Sequence, residues 1–263
     1  MKDSKTSPKV PSFIWRVWSV WYRHYSVYLK NILTNGLPPF LDPLIFLAGI
    51  GIGLGMFIGR MEGVSYIEFL ASGLLVSTAM FTAAYECSFG TFIRLEFDKI
   101  YDGMIAAPLS AGNIFLGEIL WAGTKGFFFT MAVLIIVKIF GFIPGPMSYF
   151  TPLVGLLTGM MFGAFALLIT SFVKSIDQFN FLFTGFLSPM FFFSGIFFSL
   201  QSMPPAIKVL AEFLPLTHAV RLARVLCFGN YGTGALLDLL YSAVFIIVFS
   251  YFGIRRLEKK VID

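Results

Sequence analysis

The sequence predicts an all-α fold set in a bilayer, a polytopic membrane protein with six transmembrane helices, and three observations carry that expectation. Of the 263 residues 57% are hydrophobic and only 13% are charged, far more apolar surface than a soluble core of this size buries. The apolar residues gather into runs of about 20, the length of a helix that crosses the hydrocarbon layer. The Lys and Arg residues behind the net charge of +5 sit at the chain ends and in the short connections between those runs. That distribution suits lipid orientation, and it excludes a nucleic-acid partner.

Two units are expected: residues 1–36, a tail and an interfacial helix, and residues 37–263, the six-span unit. Met1–Pro11 (MKDSKTSPKVP) reads as a disordered polar lead. From Phe13 to Asn31, Ile14, Trp18, Trp21, Tyr22, Tyr25 and Leu29 share one helical face, and Arg16, Ser19, Arg23, Ser26 and Lys30 form a polar stripe. A helix so patterned lies in the headgroup layer, anchored by Trp15, Trp18 and Trp21 with Arg16 and Arg23 toward anionic lipid. The alternative is a helix packed in a soluble domain, but no such domain follows. The first long apolar run begins near Phe40, behind Arg16, Arg23 and Lys30, so a retained first span is expected and not a cleaved signal.

The six apolar runs are Phe40–Gly59, Ile67–Thr91, Gly112–Phe140, Phe150–Val173, Phe179–Leu200 and Ala235–Ile254. With the N-terminus inside, only Arg60, Lys138, Lys208, Arg221 and Arg224 fall outside, while the N-terminal helix, the connection after the second span, Lys174 and the C-terminal end are basic on the inner side. The excess places both termini in the cytoplasm. Glycines at four-residue steps, Gly51, Gly55, Gly59 and Gly155, Gly159, Gly163, allow helices to approach closely, either within one chain or between two copies. Pro189 interrupts the fifth run just before Phe191, Phe192 and Phe193, and a kink is expected there.

The connection Arg94–Ser110 is the longest charged interruption. On a helical wheel Phe97, Ile100, Tyr101, Met104 and Ile105 fall on one face and Glu96, Asp98, Lys99 and Asp102 on the other, with Gly103 and Pro108 ending the pattern. A short amphipathic helix of this kind offers its charged side, Arg94 to Asp102, to a soluble partner. The pattern equally fits a solvated loop. Between the last two spans, Gln201–Thr233 is broken by Pro204, Pro205 and Pro215. It reads as two short amphipathic helices dipping back into the outer leaflet.

Ionisable residues inside spans are candidates for the substrate path: Glu86, Glu118 and Lys125. Glu118 and Lys125 share a face but stand about 10 Å apart along the helix, so each needs a partner elsewhere. Structural pairing near the cytoplasmic end is the plainer account of Glu86 and Glu118. His218, Arg221 and Arg224 share a face after Pro215. With Phe191, Phe192 and Phe193 they are read as an outer gate that meets an anionic headgroup, or, alternatively, as cations at a helix C-terminus near Gly229. Cys87 and Cys227 have no pairing or ligand spacing and read as packing residues. With only His24 and His218 in the chain, neither a histidine metal cluster nor a catalytic triad is expected. The string GEILWAGTK (Gly117–Lys125) lacks the order and the strand context of a phosphate loop, so the chain is expected to be no enzyme.

The order of parts and several strings, AYECSFGT (Ala84–Thr91), APLS (Ala107–Ser110), GEILW (Gly117–Trp121), FSGIFF (Phe193–Phe198) and LPLTHAVRLAR (Leu214–Arg224), resemble the membrane subunits of type-2 ABC exporters. The nodulation-type lipo-oligosaccharide export permeases are most similar, and the daunorubicin-type drug-export permeases share a looser version. The resemblance covers nearly the whole chain. It implies a homodimer in the bacterial inner membrane, bound through Arg94–Asp102 to two ABC ATPase subunits that carry the ATP and magnesium. This chain would hold no cofactor of its own, and an amphipathic lipid or glycolipid would move outward. The alternatives are a drug or polyketide permease of the same architecture and an ion-coupled secondary transporter using Glu118 and Lys125.

Overall fold

A computed structural model describes residues 11–143, 145–229 and 234–262. The expected polar lead lies almost entirely outside the described residues. Helix α1 (Phe13–Lys30) buries Val17, Val20 and His24 and leaves Phe13, Ile14, Trp15, Trp18, Tyr22 and Leu29 exposed. It lies against the third span, where a Cβ on Gly117 would stand 2.7 Å from the Val20 side chain. Trp21 also donates from Nε1 to Thr124 Oγ1 at 2.9 Å. Helix α2 (Ile32–Phe46) runs through a wide π-type stretch, Leu47–Ile52, into α3 (Gly53–Ile58).

A hairpin of β1 (Arg60–Met61) and β2 (Val64–Ser65) follows, with Arg60 opposite Ser65. Glu62 and Gly63 both take positive φ, 51° and 87°, as a two-residue type I′ turn requires. Ser65 and Glu68 cap each other's backbone and start α4 (Tyr66–Tyr85). This helix continues through wide turns at Glu86–Gly90 and Ile93–Phe97. Sixteen of the twenty α4 residues are buried, so this helix, apolar on all sides, is the centre of the bundle.

Helix α5 (Ile100–Ala106) is short, and α6 (Ala111–Ile139) starts on a second reciprocal cap, Ser110 with Asn113. Helix α7 (Thr151–Thr170) packs so tightly on α6 that a Cβ on Gly155 or Gly159 would stand 2.2 Å from Thr130 Oγ1 or 2.5 Å from the Ala122 carbonyl. Gly163 faces Ala122 and Cys87 in the same way. The glycine row of the fourth span thus serves packing within the chain. Thr130 Oγ1 donates to the Leu75 carbonyl at 2.9 Å and locks α6 to α4. Cys87 and Cys227 are both buried, free thiols.

Among the described residues five helices are long and apolar enough to cross a membrane: Leu41–Ile58, Tyr66–Phe97, Ala111–Ile139, Pro146–Thr170 and Gly234–Lys260. The run Phe179–Leu200, expected as a sixth, is not one continuous helix. It is helical over a wide stretch, Phe181–Leu187, and α8 (Ser188–Phe193), then leaves the helix at Ser194 and at Gly195, whose φ is +83°. Pro189 lies inside this continuous helical stretch, directly after the wide turns of Phe181–Leu187, and the break comes at the glycine instead. Helices α9 (Pro205–Glu212) and α10 (Pro215–Phe228) form the expected pair, α10 closing on left-handed Gly229, and α11 (Gly234–Ile262) completes the chain. The connection Asp98–Ser110 and the N-terminal helix mark one end of the bundle, here the loop end. The hairpin, α9 and α10 mark the opposite, hairpin end.

Candidate functional site: two charge clusters and the clefts they face

At the loop end a row of alternating charges runs through the interior. Lys125 Nζ donates to Glu86 Oε2 at 2.8 Å, and Arg94 Nη1 to Glu86 Oε1 at 2.8 Å. The same guanidinium reaches Glu118, Nη2 to Oε2 at 3.0 Å and Nε to Oε1 at 3.1 Å. Glu118, wholly buried, also accepts short hydrogen bonds from the hydroxyls of Thr91 and Tyr101. His24 Nε2 stands 3.4 Å from Glu118 Oε1 without the alignment of a hydrogen bond. Burial pushes the Tyr101 phenol well above its ordinary range, so it remains a donor to Glu118 at any physiological pH. The two carboxylates are matched by two cations, which is what makes their burial tolerable.

Local geometry explains why Arg94 is here. In a regular α-helix Glu86 and Arg94, eight residues apart, would point about 80° from each other. The wide turns at Glu86–Gly90 and Ile93–Phe97 bring them together over Gly90, where a Cβ would stand 3.1 Å from Arg94 Nη1. The expectation of one amphipathic helix with Arg94 on its solvent face is therefore corrected. The second span extends to Phe97, the chain turns at Asp98 and at left-handed Lys99 (φ 52°), and α5 starts afresh. Tyr101 and Met104 are buried as expected, but Phe97 and Ile105 are exposed beside Asp98, Lys99 and Asp102. Glu96 is tied back to Lys260 at 3.0 Å.

Glu86 and Lys125 also form the floor of a cleft of about 630 Å³. Ser77, Thr78, Thr82 and Glu86 of the second span, with Lys125, give it a polar side, and Phe46, Phe81, Tyr85 and Phe191 give it an aromatic one. Asp42 lines the mouth, a carboxylate that the sequence reading passed over although its place in an apolar run marks it. Phe191 packs on Phe46, Phe81 and Phe197 and faces this cleft, while Phe192 and Phe193 are exposed.

At the hairpin end the expected outer face proves to be an internal knot. His218 is buried, with Nδ1 2.7 Å from Asp238 Oδ1, Nε2 2.9 Å from the Glu212 carbonyl and its ring stacked on Tyr241. Arg221 forks onto Glu212 at 2.6 and 2.9 Å and reaches Asp238 at 2.6 Å. Those hydrogen bonds hold the Glu212 carboxyl below its ordinary value. Arg224 turns inward, donating to the Gly195 carbonyl at 2.6 Å with its guanidinium 3.6 Å over the Phe69 ring. The structure brings His218 and Arg221 together but does not join Phe191, Phe192 and Phe193 to them, because α8 turns Phe191 toward the cleft and leaves Phe192 and Phe193 exposed. Asp238, the group that organises the knot, was missed by sequence reasoning, although a lone carboxylate at the head of an apolar run is the signal.

A family model, ABC-2 type transporter, matches residues 12–228, which include both clusters except Asp238 and Tyr241. The chain belongs to the ABC-2 type transporter family. This ABC-2 chain is 30% identical over 254 residues to Nodulation protein J of Sinorhizobium fredii, covering 97% of each. It is 34% identical over 229 residues to Nodulation protein J of Rhizobium leguminosarum bv. trifolii, covering 87% of this chain and 86% of the relative. It is also 24% identical over 204 residues to the inner membrane transport permease YadH of Escherichia coli, covering 77% and 78%. As an ABC-2 chain it is an integral, multi-pass membrane transport subunit, and the ion-coupled reading of Glu118 and Lys125 is set aside.

Proposed function

We propose that this ABC-2 chain is the transmembrane subunit of a bacterial inner-membrane exporter that moves an amphipathic lipid-linked saccharide outward. Separate ATPase subunits, two to a permease homodimer, supply the energy. The reading is supported above all by the cleft. It sets hydroxyls and paired charges against aromatic rings, and its floor, Glu86 and Lys125, is continuous through Arg94 and Glu118 with Tyr101 in the loop that would meet the ATPase. A molecule with a polyhydroxylated head and an acyl tail matches both sides, because each half finds contacts it would otherwise lose on leaving water or lipid.

In this reading the chain passes the membrane six times, Ser194–Leu200 completing the fifth passage, with both termini cytoplasmic and α9 and α10 re-entrant from outside. Residues 1–36 form the interfacial unit, anchored by the exposed rings of Trp15 and Trp18 with Arg16 and Arg23, and residues 37–263 the spanning unit. Asp98, Lys99 and Asp102, exposed beside Phe97 and Ile105, contact the ATPase, with Glu96 behind them.

Mechanistically, a shift of the loop pulls on Tyr101 and Glu118, and the shared guanidinium of Arg94 passes that pull to Glu86 and Lys125 in the cleft. The deciding experiment reconstitutes the permease with its ATPase in liposomes. Stimulation of hydrolysis and appearance of a short-chain glycolipid in the outer leaflet are expected. Stimulation by planar aromatic drugs alone would replace this reading with that of a drug exporter.

A further inference from the structure

A second pocket, of about 530 Å³, opens at the hairpin end, away from the cleft. It lies between the hairpin turn, the start of α4, the α9–α10 pair and the start of α11. Its size falls within the range of small-molecule sites, about 300–1,000 Å³.

The charged groups around it divide into two sets. Arg221 is fully engaged by Glu212 and Asp238 and has little left to offer an incoming anion. On the other side, Arg224 and Glu62 line the same pocket without pairing with each other. Arg224 donates from Nη2 to the Gly195 carbonyl and weakly from Nε to Ser72 Oγ at 3.4 Å, and Glu62 accepts a short hydrogen bond through Oε1 from Ser199. Arg224 Nη1 and Glu62 Oε2 have no protein partner among the described residues. The same holds for Lys208 Nζ and the Gln201 amide, which line the pocket beside them.

The pocket therefore presents unengaged donors and unengaged acceptors side by side, over walls that include Phe69 and Phe228. A phosphate or carboxylate would satisfy the donors only, and would face Glu62, Glu212 and Asp238. An acyl chain would strand both kinds of group. A hydroxyl both donates and accepts, and a sugar ring carries several at fixed spacing, so a neutral polyhydroxylated group is the ligand whose chemistry matches both sets.

We infer that this pocket binds the neutral saccharide head of the exported molecule, as a second station distinct from the cleft. The inference rests on the saccharide reading of the function, and its test is separable from that reading. Full-length protein in lipid nanodiscs, without the ATPase, is titrated with tetrasaccharides of glucose and of N-acetylglucosamine, and with inorganic phosphate. Binding is read by saturation-transfer NMR on the sugar ring protons. Glu62→Ala and Lys208→Ala, neither of them a core residue, are compared with the wild type after thermal unfolding shows that their folds are intact.

Saturation transfer to at least one tetrasaccharide is expected, undisturbed by phosphate. Its affinity should fall about tenfold in Glu62→Ala, the loss of one charged hydrogen bond, and by a smaller factor in Lys208→Ala. Absence of transfer to either sugar, transfer unchanged in both variants, or displacement of the sugar by phosphate would each overturn the inference. Glycolipid export without saccharide binding here would defeat this inference alone. Saccharide binding in a protein that exports no glycolipid would defeat the proposed function and leave the pocket a saccharide site unconnected with export.

Discussion

Among the described residues Arg94 is the one side chain that touches both carboxylates of the loop-end cluster, and its removal leaves the buried Glu118 with two hydroxyls and His24 at 3.4 Å. An uncompensated buried charge costs about 3–5 kcal/mol, so Arg94→Ala should lower the unfolding temperature in nanodiscs sharply. Arg94→Lys should restore little, since a single ammonium cannot fork onto two carboxylates. Lys125→Met should cost less, because Glu86 keeps Arg94, and Glu86→Gln with Lys125→Met should recover part of the loss. A recovery as complete in Arg94→Lys as in that pair would contradict the bridging role.

The Glu212 carboxyl, held below its ordinary value of 4.5 by Arg221, contributes stability that is full above that value and is lost as pH falls through its lower folded value. Acidification below 4.5 should therefore release α9 from α10, seen as faster amide exchange in Pro205–Glu212, and Glu212→Gln should abolish that pH dependence. Glu86, Glu118 and Lys125 were legible in the sequence as charges too costly to leave alone in lipid. Their partner was not, because Arg94 belongs in sequence to the charged run Arg94–Asp102 expected to face a soluble partner, whereas the wide turns at Glu86–Gly90 and Ile93–Phe97 carry it over Gly90 to both carboxylates.

Helices α6 and α7 meet through glycine on both sides, and this contact leaves no room for a side chain. Gly159→Ala places a methyl 2.5 Å from the Ala122 carbonyl and 2.9 Å from Gly123 Cα. Both are backbone atoms that cannot swing aside, so a loss of about 1–3 kcal/mol is expected. Gly103→Ala in α5, with nothing within 4 Å of the new methyl, should be neutral or stabilising by up to about 1 kcal/mol. Thermal unfolding of the two variants side by side checks the contrast; equal effects would mean that the close approach is not rigid. The four-residue glycine step was readable in the sequence, but the partner helix was not, since periodicity gives a face and not what lies across it. The fifth apolar run misled for a related reason: hydropathy measures length, whereas a single left-handed glycine, Gly195, ends the helix early.

For the whole molecule, the exposed acids of the loop, Asp98 and Asp102, bear on the link to the ATPase. Asp98→Lys with Asp102→Lys should leave thermal stability near wild type and uncouple hydrolysis from glycolipid movement, because wrong-sign charges at an interface disturb its register. Normal coupling in proteoliposomes would remove these residues from the interface. The general plan of apolar helices, the amphipathic helix α1 and the α9–α10 pair were all visible in composition and spacing, whereas the hairpin-end knot needed Asp238 brought from another helix to α10. The wide π-type turns are not scattered at random among the long helices. They occur in Leu47–Ile52, Glu86–Gly90, Ile93–Phe97 and Phe181–Leu187, within or next to helices that line the cleft, and not in α7 or α11, nor in α6, which gives the cleft only Lys125. A wide turn holds one residue more than its neighbours. Passing that residue one turn along the helix swivels every side chain in between by roughly 100° while the ends of the helix stay where they are. The walls of the cleft can thus work like a zip, changing the groups they present by sliding a defect, while the α6–α7 seam behind them stays shut.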